Sequence, residues 1–300
     1  MPPTIGFIGI GIMGQRMCKN LIKAGFEVHA FDLSPAAMEV AKGLGANTAP
    51  NLATLARQVE VVVCSLPDPA ALLAVVDGPD GILAHLKPGS LICDMSTADP
   101  VTARAVHAKA AAKQIAALDC PVSGGPGGAE AGTLTIMVGG DQAALEQARP
   151  IFQAIGKNIV YCGGPGAGQA AKLVNQSLVA IHTVGLFEAL LVGRKQGLDL
   201  DTMVNILRTS SGASWMLDNH IKMKALVHNN EPGFALDLLF KDLKLFVQTA
   251  TESQAPAFIA GAALQLYNAA RAAGHGKQDQ TVVAREMEKM AGVELGVLKA

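Results

Sequence analysis

Three glycines near the start of the chain, Gly9, Gly11 and Gly14, have the spacing G-x-G-x-x-G between a strand-like apolar run and a helical segment. In such a turn the first glycine permits the tight bend, the second lets a pyrophosphate approach the backbone, and the third lets helix and strand pack closely. Ile12 and Met13 begin the helix, whose N-terminal N–H groups attract phosphate. The pattern predicts a dinucleotide site formed by these five residues.

An acidic residue, Asp32, ends the second strand-like run, where a dinucleotide turn places a partner for the adenosine ribose. Its carboxylate can accept hydrogen bonds from the ribose hydroxyls and would repel a 2′-phosphate, and no arginine follows it in the next three residues. We therefore expect NAD as the cofactor, with NADP less favoured. The alternative is that the glycines serve only a turn and Asp32 only caps the helix that begins near Pro35.

A serine and two glycines, Ser123, Gly124 and Gly125, lie just after a strand-like run, at a position where open α/β sheets bind ligands. Successive glycines after a serine can form a concave nest of backbone N–H donors, which suits a substrate carboxylate. The alternative is a flexible turn, because the glycine-rich stretch continues to Gly128.

Lys172 is a candidate acid/base group because it lies one turn after Gly166-Ala167-Gly168, near the expected domain boundary where a cleft would form, on a long and otherwise apolar helix. At about 100° per residue, one side of this helix carries the polar residues Lys172, Asn175, Gln176, His182 and Thr183. An ammonium can stabilise the charge that develops on a carbonyl oxygen during hydride transfer and then supply the proton, and a neutral amine can run this step in reverse. The alternative is a lysine on a solvated helix face.

Further cofactor contacts are predicted at the C-terminal ends of two strand-like runs, where Leu66 with Pro67 and Thr97 lie. Ligands of open α/β sheets bind at these ends, and Thr97 is the better candidate for a ribose contact. The histidines have no metal-ligand spacing, so no metal site is predicted.

The first half of the chain alternates apolar runs with helical segments, which is typical of parallel βαβ units. The strand-like runs are Ile5–Ile8, Val28–Phe31, Val61–Cys64, Leu91–Asp94, Thr133–Val138 and Asn158–Tyr161. Beyond residues 163–168 the periodicity is helical, with breaks at Gly197, Pro232, Pro256 and Gly274. The pattern predicts an α/β Rossmann domain with a mostly parallel, doubly wound sheet at residues 1–164, followed by an all-helical domain at 165–300.

The composition narrows the class of protein further. The chain has 300 residues, 50% of them apolar and 16% charged, and a formal net charge of −1, so disorder is excluded and a homo-oligomer is expected. The near-zero charge favours a small-molecule partner over nucleic acid or a membrane surface. Five scattered cysteines indicate neither a disulfide framework nor a zinc site. No signal peptide or membrane span is recognised, so a cytoplasmic location is expected.

The run Gly6–Gly14, followed by Asn20–Gly25, resembles the start of the β-hydroxyacid dehydrogenases, and the other motifs match that family in order along nearly the whole chain. The resemblance implies a Rossmann domain, a long inter-domain helix carrying the catalytic Lys172, and a helical domain that supplies the interface of a homodimer or homotetramer. It also implies that Ser123, Gly124 and Gly125 bind the substrate's acid group. Asn175 or Gln176 would contact the substrate, and Lys241, in a Lys-Asp-Leu motif, would lie near the nicotinamide.

Within the family, the segment Arg271–Asp279 looks most like the branch that reduces tartronate semialdehyde (2-hydroxy-3-oxopropionate). The runner-up is the branch that oxidises 3-hydroxyisobutyrate, which shares every motif above. The 6-phosphogluconate dehydrogenases share the start and the Ser-Gly-Gly segment but need a longer helical domain. A non-catalytic cofactor-binding module is the alternative from another class, because a fold does not determine a function.

Overall fold

The computed structural model describes residues 2–229 and 231–298. The chain divides into two units, Met1–Leu173 and Val174–Ala300, and the boundary falls within a helix. The division at residues 164 and 165 expected from the sequence stays a prediction.

The first unit contains one sheet. Its strands are β1 Ile5–Ile8, β2 Val28–Phe31, β3 Asn47–Thr48, β4 Val61–Cys64, β5 Leu91–Asp94, β6 Ala116–Asp119, β7 Val122–Ser123, β8 Leu134–Gly140 and β9 Gly156–Gly163. The strand order is β3-β2-β1-β4-β5-β6-β8-β7, with β9 paired to β8, and the pairs from β3 to β6 are all parallel. Among the described strands of this sheet, the antiparallel pairs are those of β8 with β6 and with β7. The predicted Rossmann class is confirmed.

Both faces of the sheet are buried at its centre, which explains why β1, β4 and β5 are nearly continuous apolar runs. In β4, Val61 and Val63 belong to one hydrophobic cluster, while Val62 and Cys64 belong to another on the opposite face. Successive strand side chains point to opposite faces, so these two clusters are the two covered layers of a doubly wound sheet.

Helices cover the sheet and build the second unit. They are α1 Ile12–Lys23, α2 Pro35–Gly43, α3 Leu52–Gln58, α4 Pro69–Asp77, α5 Pro100–Ala111, α6 Gly125–Ala131, α7 Gln142–Ile155, α8 Ala167–Lys195, α9 Leu200–Arg208, α10 Leu236–Glu252, α11 Phe258–Ala272 and α12 Val283–Ala291. Shorter helical turns occur at Ile82–Ala84, Leu217–Ile221, Ala225–Val227 and Gln280–Val282.

Beyond β9 the described residues contain no strand, only one isolated bridge between Ala235 and Asp279. The helical C-terminal half is therefore confirmed, and its own core is formed by side chains such as Phe187, Leu217 and Tyr267. Helix α8 ends just before Gly197, and α10 and α11 end before the breaks expected near Pro256 and Gly274.

Helix α8 is the longest element, with 29 residues, and crosses the boundary between the two units. Among the described residues it is the one helix long and apolar enough to span a membrane by length and composition. Half of its most apolar window is buried within the protein. Core helices of soluble proteins meet the same criterion, so this is weak grounds for a membrane span.

Candidate dinucleotide site and catalytic lysine

The three glycines of the N-terminal loop have different reasons to be glycine. Gly9 has a φ of +94°, and a Cβ there would overlap the carbonyl oxygen of Ser65. A Cβ at Gly14 would overlap the carbonyl oxygen of Gly9, so this glycine lets α1 pack against the loop. At Gly11 no described atom lies within 4 Å of an added Cβ. The protein itself therefore needs Gly9 and Gly14, whereas Gly11 faces open space.

The open space at Gly11 lies at the N-terminus of α1. Gly11 is the N-cap of this helix, and within the described chain no side chain caps it. The N-cap side chain accepts a hydrogen bond in six other helices, at Ser34, Asn51, Asp68, Asp99, Asp141 and Asp199. In α6, α10, α11 and α12, as in α1, the N-cap side chain makes no such bond with a described residue. The first N–H groups of a helix have no partner within that helix, and they attract an anion. The loop at Gly9–Gly14 thus fits the pyrophosphate of a dinucleotide, which would accept hydrogen bonds from backbone N–H groups in the first turn of α1, beginning with Ile12 and Met13.

Asp32 ties this loop to the end of β2. Its Oδ2 accepts a hydrogen bond from the Ile10 N–H at 2.7 Å, and its Oδ1 accepts one from the Ser34 N–H at 2.8 Å. The N-cap of α2 is Ser34, which accepts from the Ala37 N–H, so Asp32 does not cap that helix. A carboxylate has about four lone-pair positions, so these two bonds leave capacity for ribose hydroxyls.

Leu66 and Thr97 lie at the same edge of the sheet, after the adjacent strands β4 and β5. The Leu66 N–H donates to Ser96 Oγ at 2.9 Å, which links the two loops directly. Pro67, next to Leu66, is exposed and Thr97 is half-buried. The structure thus brings these residues together beside the glycine loop, since β4 also pairs with β1.

Lys172 is 7% exposed, and its Nζ donates a hydrogen bond to the carbonyl oxygen of Val122 at 2.8 Å. This is a buried lysine rather than one on a solvated face, so the alternative stated above is wrong. Val122 directly precedes Ser123 in β7. The structure therefore brings the candidate acid/base group to the segment that carries the candidate carboxylate site.

The Ser-Gly-Gly segment has a conformation that only glycine adopts easily. Gly124 has a φ of +132° and is the N-cap of α6, and Gly125 has a φ of +60°. A Cβ at Gly124 would lie 3.1 Å from Leu134 Cδ2, whereas no described atom lies within 4 Å of one at Gly125. Consecutive residues in turn conformations orient their N–H groups inward to form an anion site. The segment is a well-defined turn with open space at Gly125, which favours an anion-binding nest of backbone N–H groups over a flexible turn.

Asp119 is a buried carboxylate that sequence reasoning left without a role. It is 2% exposed and accepts hydrogen bonds from the N–H groups of Gly166 at 2.8 Å and Gln169 at 2.9 Å. His107 Nε2 lies 3.0 Å from the same carboxylate. Asp119 therefore binds the N-terminal end of α8, where a negative charge is stabilising. The only signal in the sequence was an acid at the end of a strand-like run.

The glycines that precede Lys172 are explained by packing. A Cβ at Gly168 would overlap the carbonyl oxygens of Asp119 and Met137, on β6 and β8. Gly166 has a φ of +87°, and its Cβ would lie 2.9 Å from the carbonyl oxygen of Pro100. The start of α8 is therefore pressed against the sheet, which fixes the position of the turn that carries Lys172.

Asn175, Gln176 and Lys241 belong to the second unit. Gln176 is 4% exposed; its Nε2 donates to Asp242 Oδ2 at 2.7 Å, and its Oε1 accepts from Asn175 Nδ2 at 3.0 Å. Lys241 Nζ lies 3.0 Å from Asp242 Oδ1. The structure thus joins these residues in one polar cluster around Asp242. Of the remaining stripe, Thr183 is buried and His182 is exposed.

Comparison with known protein families assigns both halves of the chain. The family model described as the NAD binding domain of 6-phosphogluconate dehydrogenase matches residues 4–164. The model described as NAD-binding of NADP-dependent 3-hydroxyisobutyrate dehydrogenase matches residues 166–287.

Relatives are similar over almost their full length. The chain is 39% identical to 2-(hydroxymethyl)glutarate dehydrogenase of Eubacterium barkeri, with 97% of each chain covered. It is 38% identical to NAD-dependent L-serine dehydrogenase of Pseudomonas aeruginosa, over 96% of this chain and 99% of that one. It is 40% identical to a probable mitochondrial 3-hydroxyisobutyrate dehydrogenase of Dictyostelium discoideum, over 93% and 89% respectively.

Two solved structures are similar to this chain in both fold and sequence. A Mycobacterium tuberculosis 3-hydroxyisobutyrate dehydrogenase with L-serine has a TM-score of 0.87 and 33% identity, covering 96% of this chain and 99% of that one. Psf3 in complex with NADP+ and 2-OPP has a TM-score of 0.84 and 29% identity, covering 95% and 100%.

The fold and the glycine loop define an NAD(P)-binding protein of the Rossmann class. The two family models and the relatives at 38–40% identity place it more narrowly. The chain belongs to the β-hydroxyacid dehydrogenase family, as the resemblance in its motifs implied.

Proposed function

We propose that the protein catalyses reversible NAD(P)-dependent hydride transfer between a small 3-hydroxy acid and its semialdehyde. The observation that carries this proposal is the buried Lys172, whose Nζ bonds to Val122 directly before the Ser123-Gly124-Gly125 turn. A 3-hydroxy acid carries its hydroxyl on C3 and its carboxylate at C1. It therefore requires an acid/base group close to the site that binds the carboxylate.

Each group then has a defined task. Backbone N–H groups of the turn at Ser123, Gly124 and Gly125 hold the carboxylate, and Lys172 Nζ accepts the hydroxyl proton during oxidation or returns it during reduction. When bound, the oxidised cofactor would accept the hydride during oxidation of the acid, and the reduced cofactor would donate it during reduction of the semialdehyde. Asn175 is our candidate for the substrate amide, because both ends of the Gln176 amide already bond within the protein.

The relatives narrow the substrate core. Their names refer to 2-(hydroxymethyl)glutarate, L-serine and 3-hydroxyisobutyrate, and all three are acids with a CH2OH group and one other substituent on C2. Glycerate, the product of tartronate semialdehyde reduction, has the same core with a hydroxyl as that substituent. We propose tartronate semialdehyde as the substrate, which none of these three names mentions, and 3-hydroxyisobutyrate as the alternative.

For the cofactor we propose NAD over NADP. Asp32 places a carboxylate at the end of β2, where dinucleotide-binding folds recognise the adenosine ribose, and a carboxylate there would repel a 2′-phosphate. The next side chain, Leu33, is 90% exposed and uncharged. One family model and Psf3 are described with NADP, so the proposal depends on Asp32 itself.

The experiment is a steady-state screen of the four acids named above and of tartronate semialdehyde, with both cofactors, on wild type and on Lys172→Ala. We expect Lys172→Ala to lower kcat by about 10²- to 10⁴-fold and to leave NAD affinity nearly unchanged. Lys172→Arg should not restore activity, since guanidinium is not deprotonated at usable pH. Lys195→Ala, on the exposed end of the same helix, is the matched control and should behave as wild type.

Two outcomes would contradict the proposal. A Lys172→Ala variant that keeps more than about a tenth of wild-type kcat would remove the lysine from the mechanism. Tight NAD binding without turnover of any acid in the screen would favour the non-catalytic module.

We also propose a homo-oligomer, a dimer or tetramer, formed through α8. Val174, Leu178 and Val192 are 55%, 47% and 60% exposed, and at 3.6 residues per turn they lie on one side of the helix. Such an apolar stripe is typical of a subunit interface. Light scattering should give the mass of a dimer or tetramer, and Leu178→Glu should reduce it. A monomeric wild type would refute the proposal.

A further inference from the structure

Gln169 is a fully buried amide in the first turn of α8, one turn before Lys172. Its Oε1 accepts a hydrogen bond from the Ala98 N–H at 3.0 Å, and its Nε2 donates to the Ser96 carbonyl oxygen at 2.9 Å. These two backbone groups belong to the peptide bonds on either side of Thr97. One side-chain amide therefore holds the backbone around the predicted ribose contact.

The same amide is connected to the rest of the cofactor edge. Its Nε2 also lies 3.4 Å from Asp94 Oδ2, and Asp94 Oδ1 accepts from the Ser96 N–H at 3.0 Å. Ser96 Oγ in turn accepts from the Leu66 N–H. The loops after β4 and β5 are thus joined to one another and to Gln169.

On the helix side, the position of Gln169 is determined by contacts with β6. Its backbone N–H donates to Asp119 Oδ2, and Gly168 allows the backbone of α8 to press against the sheet. The next turn carries Lys172, which is hydrogen-bonded to Val122. A displacement of Thr97 relative to Lys172 would therefore require breaking buried hydrogen bonds of Gln169.

We propose that Gln169 is a positioning residue that holds the Thr97 segment at a set distance from Lys172. This inference rests on the proposed function, because it assumes that Lys172 is the acid/base group and that Thr97 borders the cofactor. Hydride transfer is sensitive to such alignment, since a misplacement of about 1 Å can cost about 100-fold in rate.

An amide is needed at this position because one contact requires an acceptor and the other a donor. Gln169→Glu keeps an acceptor for Ala98 but places a second oxygen against the Ser96 carbonyl and the Asp94 carboxylate. Gln169→Met has a similar shape and neither hydrogen-bonding group.

The chain offers a matched control in Gln280. This amide is 1% exposed, accepts from Tyr267 Oη at 2.6 Å, and lies in the second unit. Gln280→Met therefore also removes a buried amide, and both substitutions should lower the melting temperature. All measurements are made at a temperature where circular dichroism finds each variant folded.

The first measurement needs no cofactor: amide hydrogen exchange in the peptide that contains Thr97 and Ala98. We expect faster exchange in Gln169→Met than in wild type, because the Ala98 N–H loses its acceptor, and no change in Gln280→Met. The second compares kcat, NADH affinity and the primary deuterium isotope effect on kcat. We expect Gln169→Met to lower kcat by about 10- to 100-fold and to raise the isotope effect, with NADH affinity changed less than about threefold.

Two results would overturn the inference: unchanged exchange at Ala98, or faster exchange with wild-type kcat and isotope effect. A Lys172→Ala enzyme with near wild-type kcat would instead refute the proposed function. In that case the exchange result still decides whether Gln169 holds the Thr97 segment, so the two failures are distinguishable.

Discussion

Gly11→Ala separates the requirements of the fold from those of the cofactor. Gly11 has a φ of −72° and a ψ of −166°, which alanine adopts without strain, and no described atom lies within 4 Å of the added Cβ. A glycine-to-alanine change at a compatible position stabilises a protein by about 0.4–1 kcal/mol, because the unfolded chain loses freedom. Alanine is a poorer N-cap than glycine, which offsets this gain, so we expect Gly11→Ala to fold with a melting temperature close to that of wild type.

The same methyl group would occupy the space in front of the α1 N-terminus, where the pyrophosphate is expected to approach. Hydrogen bonds to charged groups contribute about 1.5–3 kcal/mol each, so the loss of even one predicts a Kd for NADH at least about tenfold higher. Titration of NADH fluorescence measures this Kd. A thermal shift with NADH, large for wild type and small for Gly11→Ala, gives an independent reading.

Two other glycines provide the controls. Gly43→Ala, also without a described atom within 4 Å, should keep both stability and NADH affinity. Gly14→Ala should lose stability, because its methyl overlaps the Gly9 carbonyl oxygen. A Gly11→Ala variant that binds NADH within about threefold of wild type would contradict the prediction, since the loss of one hydrogen bond to the pyrophosphate should weaken binding by more than that. A Gly11→Ala variant that is destabilised as strongly as Gly14→Ala would also contradict it.

Three further predictions concern the cofactor, the substrate and acid stability. Wild type should have a kcat/KM about tenfold or more higher with NAD than with NADP. Asp32→Asn, whose side-chain oxygen can still accept the Ile10 N–H, should reduce that ratio. Equal kcat/KM with both cofactors in wild type would contradict the predicted preference. Gly125→Ala should raise the KM for the acid at least about tenfold, while the KM for NAD stays within about twofold. The matched control is Gly292→Ala, because Gly292 has a φ of +62°, Gly125 has a φ of +60°, and no described atom lies within 4 Å of an added Cβ at either position. Gly292→Ala should change neither KM. Burial alone would raise the pKa of Asp279, but its hydrogen bonds and the charge of His220 outweigh burial, so the pKa of this carboxyl is lowered in the folded protein. The ionised carboxylate therefore stabilises the fold above about pH 4. This contribution is lost as the pH falls through the folded pKa of Asp279. Asp279→Asn should cost about 3 kcal/mol at pH 7 and flatten the acid side of the stability profile measured by urea unfolding; an unaltered profile would show that the carboxylate is not responsible.

Much of the fold was determined by local sequence pattern. The runs at Ile5–Ile8, Val28–Phe31, Val61–Cys64 and Leu91–Asp94 are strands with the predicted bounds. Strands at the centre of a sheet that is covered on both faces are apolar at nearly every position, and only His29 and Asp94 are charged or polar side chains in these four runs. The glycine loop was equally evident, since its tight turn and close packing need glycine at a set spacing. The second part of the sheet was less well predicted. Gly139 and Gly140, which suggest a turn, extend β8 because they pair with Asp119 and Leu118.

Some features of the candidate site were likewise predictable from the sequence, and others were not. Lys172 and the Ser-Gly-Gly turn could be proposed from residue type and family motif, but the burial of Lys172 and its bond to Val122 depend on how α8 lies against the sheet. The role of Asp119 and the amide contacts of Gln169 were not predictable at all. Their partners come from strands and loops far away along the chain, and such pairings exist only once the sheet has formed. Local periodicity therefore determined which segments become strands and helices, while the tertiary structure alone decided which buried polar groups meet.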